Sequence, residues 1–265
     1  MENQPSLNSI GSAFSETWAI FQKRASIIYT TTAVFLIPVA IGALIGAYYK
    51  YSVGSFIVSF SQYALLMALA FVIVREKALK DVISFFSDNW KNIFLTIIFF
   101  ISLLLLGGII IVPAFVFGVW FSFFAFVSAH ENKFGLDSLL RSKEYVTGYF
   151  WPIFGRGFLL SVILLILNDV LGRMVLPTFY SMEIVYYVLK SVLPIVVIFP
   201  VASVFVFVIY KNIVELKKGI LGLEIRESKT PWKIMIGIGI ALQVMVWFFL
   251  AQYLNIIQSQ IMRLF

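Results

Sequence analysis

The 265-residue chain contains no cysteine and one histidine, His130. Without thiols there is no disulfide, no thiol nucleophile, no lipidated cysteine and no thiolate metal ligand. A lone histidine cannot build a histidine-rich metal site. The serines of the central stretch lack a positioned histidine partner, which excludes a serine–histidine–acid triad unless His130 serves in it. Charge is scarce too: Asp, Glu, Lys and Arg make up 12% of the chain, where a soluble domain carries roughly a quarter. A glycine-rich phosphate loop is also missing, because Gly237-Ile-Gly239 sits inside an apolar run with neither the following glycine nor a preceding strand. Catalysis, metal and cofactor binding are therefore not expected.

What is abundant is apolar. Hydrophobic residues reach 61%, including 28 Phe, 12 Tyr and 6 Trp, and the mean hydropathy is +0.98. A water-facing surface built from such a chain would aggregate. Several apolar runs approach the length of a bilayer crossing, which predicts an all-α, polytopic transmembrane bundle. The excess of 20 basic over 13 acidic residues fits cytoplasmic loops of a membrane protein better than nucleic acid.

The runs predict seven spans near residues 27–47, 56–74, 93–109, 113–127, 152–171, 188–210 and 234–253. The last is long enough to cross, since 20 residues at about 1.5 Å each cover a core of about 30 Å. If it is re-entrant or lies flat, the spans number six. No charge falls between Asn92 and His130, and two helices joined near Gly107 to Pro113 account for that stretch. Gly42 and Gly46 in the first span have the spacing that lets another helix approach closely. Pro194 and Pro200 interrupt the sixth.

Polar stretches precede several spans and carry helical apolar stripes. Leu7, Ile10, Phe14, Trp18 and Phe21 form the first, read either as an interfacial amphipathic helix or as the cytoplasmic extension of span one. Leu79, Val82, Ile83, Phe86 and Trp90 form the second. The third is the central polar island, Ser128 to Pro152, with Leu136, Leu139, Leu140 and Val146 on one side and Asp137, Arg141, Lys143 and Glu144 on the other. Trp18, Trp90, Trp151 and Trp232 each stand at the entrance to a span. The unit of interfacial helix, aromatic and two spans thus recurs three times, with a partial fourth copy; an ordinary aromatic belt accounts for the tryptophans equally well.

Alternating the spans from a cytoplasmic amino terminus places basic residues 23, 24, 75, 77, 80, 91, 133, 141, 143, 156, 211, 217, 218, 226, 229 and 233 inside. Only Lys50, Arg173, Lys190 and Arg263 remain outside. This asymmetry predicts a multi-pass protein of the cell membrane with its amino terminus in the cytoplasm and, for seven spans, its carboxyl terminus outside.

Within the island, Glu131 precedes a helix containing Ser138, Leu139 and Ser142, followed by Val146 and Gly148 and then Trp151. This pattern resembles uncharacterised prokaryotic integral membrane proteins related to the membrane domain of glycerophosphoryl diester phosphodiesterases. The opening segment IGSAFSETWAIFQKR is similar to that family's first helix. The chain departs from the family at Ser138, where a small residue usually precedes the leucine. It also has no barrel of some 250 residues with acidic metal ligands. The resemblance therefore implies a membrane domain and no hydrolase activity.

The expected function is a non-enzymatic membrane protein with a structural, lipid-interacting or partner-binding role, its partners being membrane lipids with anionic headgroups or another membrane protein. Glu131, Arg141, Lys143, Glu144 and Arg156 are the candidate headgroup or partner contacts. Asp137 and Glu144, four and three residues from Arg141, have the spacing of intrahelical ion pairs. Arg156 is expected to snorkel. The alternative is a transporter for a small or amphipathic solute, with Gln62, Asn168 and Gln243 lining its path. Each of these three equally fits a single interhelical hydrogen bond of about 1 kcal/mol or less.

Overall fold

The computed structural model describes residues 7–48, 52–108, 111–175, 182–220 and 227–245, which contain helices and no strand. In chain order the helices are α1 (Ile10–Tyr48), α2 (Ser52–Arg75), α3 (Leu79–Gly108), α4 (Ile111–Trp120), α5 (Phe124–Glu131), α6 (Leu136–Val146), α7 (Phe150–Val175), α8 (Glu183–Val197), α9 (Phe199–Leu216) and α10 (Thr230–Met245). Among the described residues six helical segments are long and apolar enough to cross a membrane: Ile10–Ala47, Phe56–Arg75, Leu79–Gly107, Pro113–Glu131, Phe150–Met174 and Ile184–Leu216. The chain is an all-α membrane-type bundle. The seventh expected span begins in α10, but its second half and the carboxyl-terminal tail lie outside the described residues.

The first polar stretch is an extension of the span. α1 runs unbroken for 39 residues, about 58 Å, with Ser9 as its cap: the Ser9 hydroxyl oxygen accepts from the Ser12 N–H at 3.2 Å. Nothing between Phe21 and Ile28 breaks a helix, since Gln, Lys and Arg propagate one as well as the apolar residues beside them. The face carrying Ala13, Thr17 and Phe21 is buried and turns toward α9, where Phe14 meets Phe205 at 4.6 Å between ring centres. The second stretch behaves alike: α3 is continuous over 30 residues, and Asp81 reaches back to accept from the Ala78 N–H at 3.2 Å.

Gly42 and Gly46 do admit a neighbour, and it is α2. A Cβ placed on Gly54 would lie 2.3 Å from the Gly46 nitrogen and 2.4 Å from the Gly42 carbonyl oxygen. The α1–α2 hairpin therefore closes backbone to backbone. At the other edge, Gly239 of α10 packs on α3, where an added Cβ would lie 2.4 Å from the Ser102 carbonyl oxygen.

Two spans are broken. The sixth divides at Ile198, between α8 and α9, where Pro200 has no N–H to donate and its ring crowds the preceding turn. The fourth divides between Trp120 and Phe124 although neither proline nor glycine stands there; the cause is a residue from α6, described below. The buried core is aromatic-rich, with Phe121, Phe123, Phe124, Phe126 and Phe205 each at most 1% exposed. α7 is the least embedded of the six spans: 11% of its apolar window is buried, against 33–56% in the others. Its outer surface of Phe158, Leu165, Ile166 and Val170 suits lipid.

Trp18, Trp90 and Trp151 are exposed, as residues at a membrane boundary are, but Trp232 is 6% exposed and belongs to the core. The fourth tryptophan thus differs from the other three in kind.

Candidate functional site

The island is where sequence periodicity and structure part. Its turn uses two left-handed residues, Asn132 at φ 57° and Gly135 at φ 60°, of which glycine is at ease there and asparagine tolerates it. The Gly135 N–H then donates to the Thr96 hydroxyl at 2.6 Å, pinning the start of α6 to α3. α6 does not lie on a surface with its charges outward. Leu136, Ser138, Leu139, Leu140, Arg141, Ser142, Tyr145 and Val146 are all buried, enclosed by α3, α4, α5 and α9. The expected interfacial helix is a core element; its polar face meets polar groups on other helices.

Arg141, 1% exposed, is the centre of that meeting. Its Nε lies 3.2 Å from Glu131 Oε2, and one terminal nitrogen donates to Glu144 Oε2 at 2.6 Å. Lys133 Nζ approaches the same Glu131 oxygen at 3.1 Å, and the Tyr145 hydroxyl donates to Glu131 Oε1 at 2.8 Å. Two carboxylates thus face two cations. Taking the groups out of water costs several kcal/mol per ion, and only close pairing offsets that. Burial, then the hydrogen bond and charge of Glu131, push the Tyr145 phenol well above its ordinary range, so it stays a neutral donor. Beside it, Tyr210 stacks edge-on to Tyr145, and its hydroxyl sits 3.0 Å from His130 Nδ1.

The helix ends around this centre are closed by cations or hydroxyls from elsewhere in the chain. Arg75 Nε donates to the Ala129 carbonyl at 2.6 Å, completing the carboxyl end of α5. Lys217 Nζ donates to the Glu144 carbonyl at 2.6 Å and to that of Thr147, which places a positive charge at the negative end of α6. Burial holds the Lys217 amine below its ordinary range, with the Glu144 charge working against it. The Ser142 hydroxyl donates to the Trp120 carbonyl at 2.8 Å and accepts from the Phe123 N–H at 3.0 Å. One side chain thereby satisfies both backbone groups freed by the break between α4 and α5.

Lys143 belongs to a neighbouring cluster. Its ammonium is 4.8 Å from the Trp120 ring, 4.7 Å from the Trp232 ring and 2.5 Å from Glu227 Oε1. The Trp232 indole N–H donates to the same carboxylate oxygen at 2.9 Å. Asp137 pairs with Lys229 at 2.6 Å, so the entrance of α10 is fastened to α6 at two points.

Of the residues singled out from sequence, the fold brings Glu131, Arg141 and Glu144 together, with Lys143 adjacent. Arg156 stands apart on α7, donating to the Asn8 carbonyl at 2.5 Å and the Pro152 carbonyl at 3.0 Å. Gln62 is half-buried on α2, Asn168 exposed on α7 and Gln243 half-buried on α10; none of the principal helix contacts joins α2 to α7. Sequence reasoning gave no site role to Ser142, Tyr145, Tyr210 or Lys217. A signal existed for the first two: Ser138, Ser142 and Tyr145 share the helical face of Leu139 and Val146, and polar groups on a buried face must find partners. Among the described residues, no three His, Asp or Glu side chains gather as a metal site requires. No family model, curated protein or solved structure matches the chain.

Proposed function

We propose that this chain is a non-enzymatic integral membrane protein with a structural, lipid-interacting role, lying in the cell membrane with its amino terminus in the cytoplasm. The observation that carries this reading is the closure of the polar centre. Glu131, Arg141, Glu144 and Tyr145 are bound to one another, Lys217 is bound to helix-end carbonyls, and Lys143 is held by Glu227 and two indoles. Groups paired in this way brace the ends of α5, α6 and α10 against each other. A catalytic or transport site needs groups turned toward a ligand, and intramembrane ionisable residues usually mark such paths. The charge asymmetry of the loops supports the orientation.

The test is reconstitution of the full chain into sealed liposomes loaded with small polar and amphipathic solutes. Retention equal to protein-free liposomes is expected, together with lipids that remain bound through purification. Saturable efflux abolished by substituting Gln62, Asn168 or Gln243 would overturn the reading in favour of a transporter.

A further inference from the structure

The burial of α6 leaves open which basic groups at this end of the bundle face outward. Arg24, Arg75, Arg141, Lys143, Lys217 and Lys229 are each bound to a carboxylate or a backbone carbonyl. Lys77, Lys80 and Lys91 differ. All three are exposed, and none forms an ion pair among the described residues. Lys80 and Lys91 lie on one face of the first part of α3, eleven positions apart, three helical turns and about 16 Å of rise, and Lys77 stands in the link just before the helix.

The same face carries exposed Ile83, Trp90 and Phe94, and the Lys91 ammonium stands 5.7 Å over the Trp90 ring. The acidic groups nearby are largely engaged. Glu76 pairs with Arg24, Asp81 accepts from the Ala78 N–H, and Asp88, at the edge of the face, accepts from the Ser84 hydroxyl at 3.2 Å. α3, at 30 residues and about 45 Å, exceeds a hydrocarbon core by about 15 Å. Its first ten or so residues therefore rise through the headgroup layer, about 5–8 Å deep on each side, and into the water just above it, with Trp90 and Lys91 at the hydrocarbon boundary.

We propose that this face of α3, formed by Lys80, Lys91 and Trp90 and extended by Lys77 in the link before it, is a docking ridge for anionic phospholipid headgroups. It takes the role that the sequence assigned to the basic residues of α6. The inference rests on the lipid-interacting reading above and specifies where that interaction occurs. The Lys91 ammonium meets the phosphates, those of Lys77 and Lys80 attract them from above within the reach of screened charge, the indole lies at the level of the glycerol backbone, and Phe94 contacts the acyl chains. A phosphatidylcholine headgroup, carrying its own cation, is a poorer occupant.

The experiment uses the full chain in nanodiscs of phosphatidylcholine with a minor fraction of brominated phosphatidylglycerol or, in parallel, of brominated phosphatidylcholine. Bromine quenches nearby tryptophan, and W90F assigns the Trp90 share of the signal. Stronger quenching of Trp90 by the anionic lipid is expected, falling about fivefold in preference for each lysine removed and collapsing in 1 M salt, where screening acts within about 3 Å. The preference should vanish in K77Q/K80Q/K91Q, whose helical circular dichroism should match wild type. Equal quenching of Trp90 by the two lipids, or a preference that survives the triple substitution, would overturn the ridge; an acidic protein as the true occupant would give the first of these. Lipid extracted from the purified protein separates the two levels of the argument. Anionic enrichment that persists in the triple variant refutes the ridge and leaves the lipid-interacting reading standing, and no bound lipid in wild type refutes both.

Discussion

Replacing Arg141 with methionine keeps most of the side-chain volume and removes the charge at the centre of the buried cluster. Glu144, with its side chain 20% exposed, can turn to water; Glu131, at 5%, cannot. Breaking a buried pair by removing one partner costs about 3–5 kcal/mol. Glu131 keeps Tyr145 and Lys133 as partners, so the low end, about 3 kcal/mol, is expected for R141M. Neutralising the stranded carboxylate should restore most of that loss, giving R141M/E131Q a stability near or above that of E131Q alone. The coupling between the two sites should then be about 3 kcal/mol, the upper end of the range for residues in one network. Reversible unfolding of the four proteins in mixed micelles, followed by tryptophan fluorescence, measures the cycle. A loss under about 0.5 kcal/mol in R141M, the size of an ordinary surface substitution, would refute the argument that Arg141 is buried among its partners. A strictly additive double variant would refute the direct pairing with Glu131.

Gly54→Ala drives a methyl to 2.3 Å from the Gly46 nitrogen, whereas Gly237→Ala meets nothing within 4 Å; thermal unfolding should show a loss of about 1–3 kcal/mol for the first and no measurable change for the second. Ser142→Ala leaves the Trp120 carbonyl and Phe123 N–H without their bridge; unfolding should cost about 1–3 kcal/mol, with hydrogen exchange of the Phe123 amide accelerated. The Lys217 amine titrates below its ordinary 10.5 in the folded chain, so between the folded and unfolded pKa values the unfolded chain holds the extra proton and stability rises with pH. The difference in stability between wild type and K217M should grow in favour of wild type as pH climbs toward 10.5; a difference that shrinks over that window would contradict the burial of this lysine.

The helical architecture was legible because long apolar runs admit few other structures. Hinge positions were legible only where a breaker residue marked them. Pro200 announces the division of the sixth span, and Gly148, at φ 87°, separates α6 from α7, whereas the first two polar stretches have no such residue and merge into α1 and α3. The break after Trp120 is marked by no proline or glycine. It is held open by Ser142, more than twenty positions later, and no reading of the local sequence contains that information. The same limit hid the state of Arg141. Periodicity puts it opposite the leucines of α6, which suggests solvent, but only the placement of Glu131 on α5 shows that a second buried surface exists there. Trp232 could not be told from the boundary tryptophans, because its burial depends on Trp120 and Lys143 rather than on its neighbours in sequence.

The partners of α6 also impose an order on how the molecule assembles. Glu131 precedes it and is available as soon as the helix forms. Lys217, which closes its carboxyl end, lies 73 positions beyond Glu144, and Glu227 lies 84 beyond Lys143. At about 5–20 residues per second, the ribosome needs roughly 4–15 s to supply the first of these. Through that interval α6 rests on α3, α4 and α5 with its far end uncapped and Lys143 lacking its carboxylate. A nascent chain halted before Lys217 would display that unfinished face, whereas one released after Glu227 would have it sealed, so arrest at successive lengths should convert a protease-sensitive Val146–Gly148 junction into a resistant one between those two points.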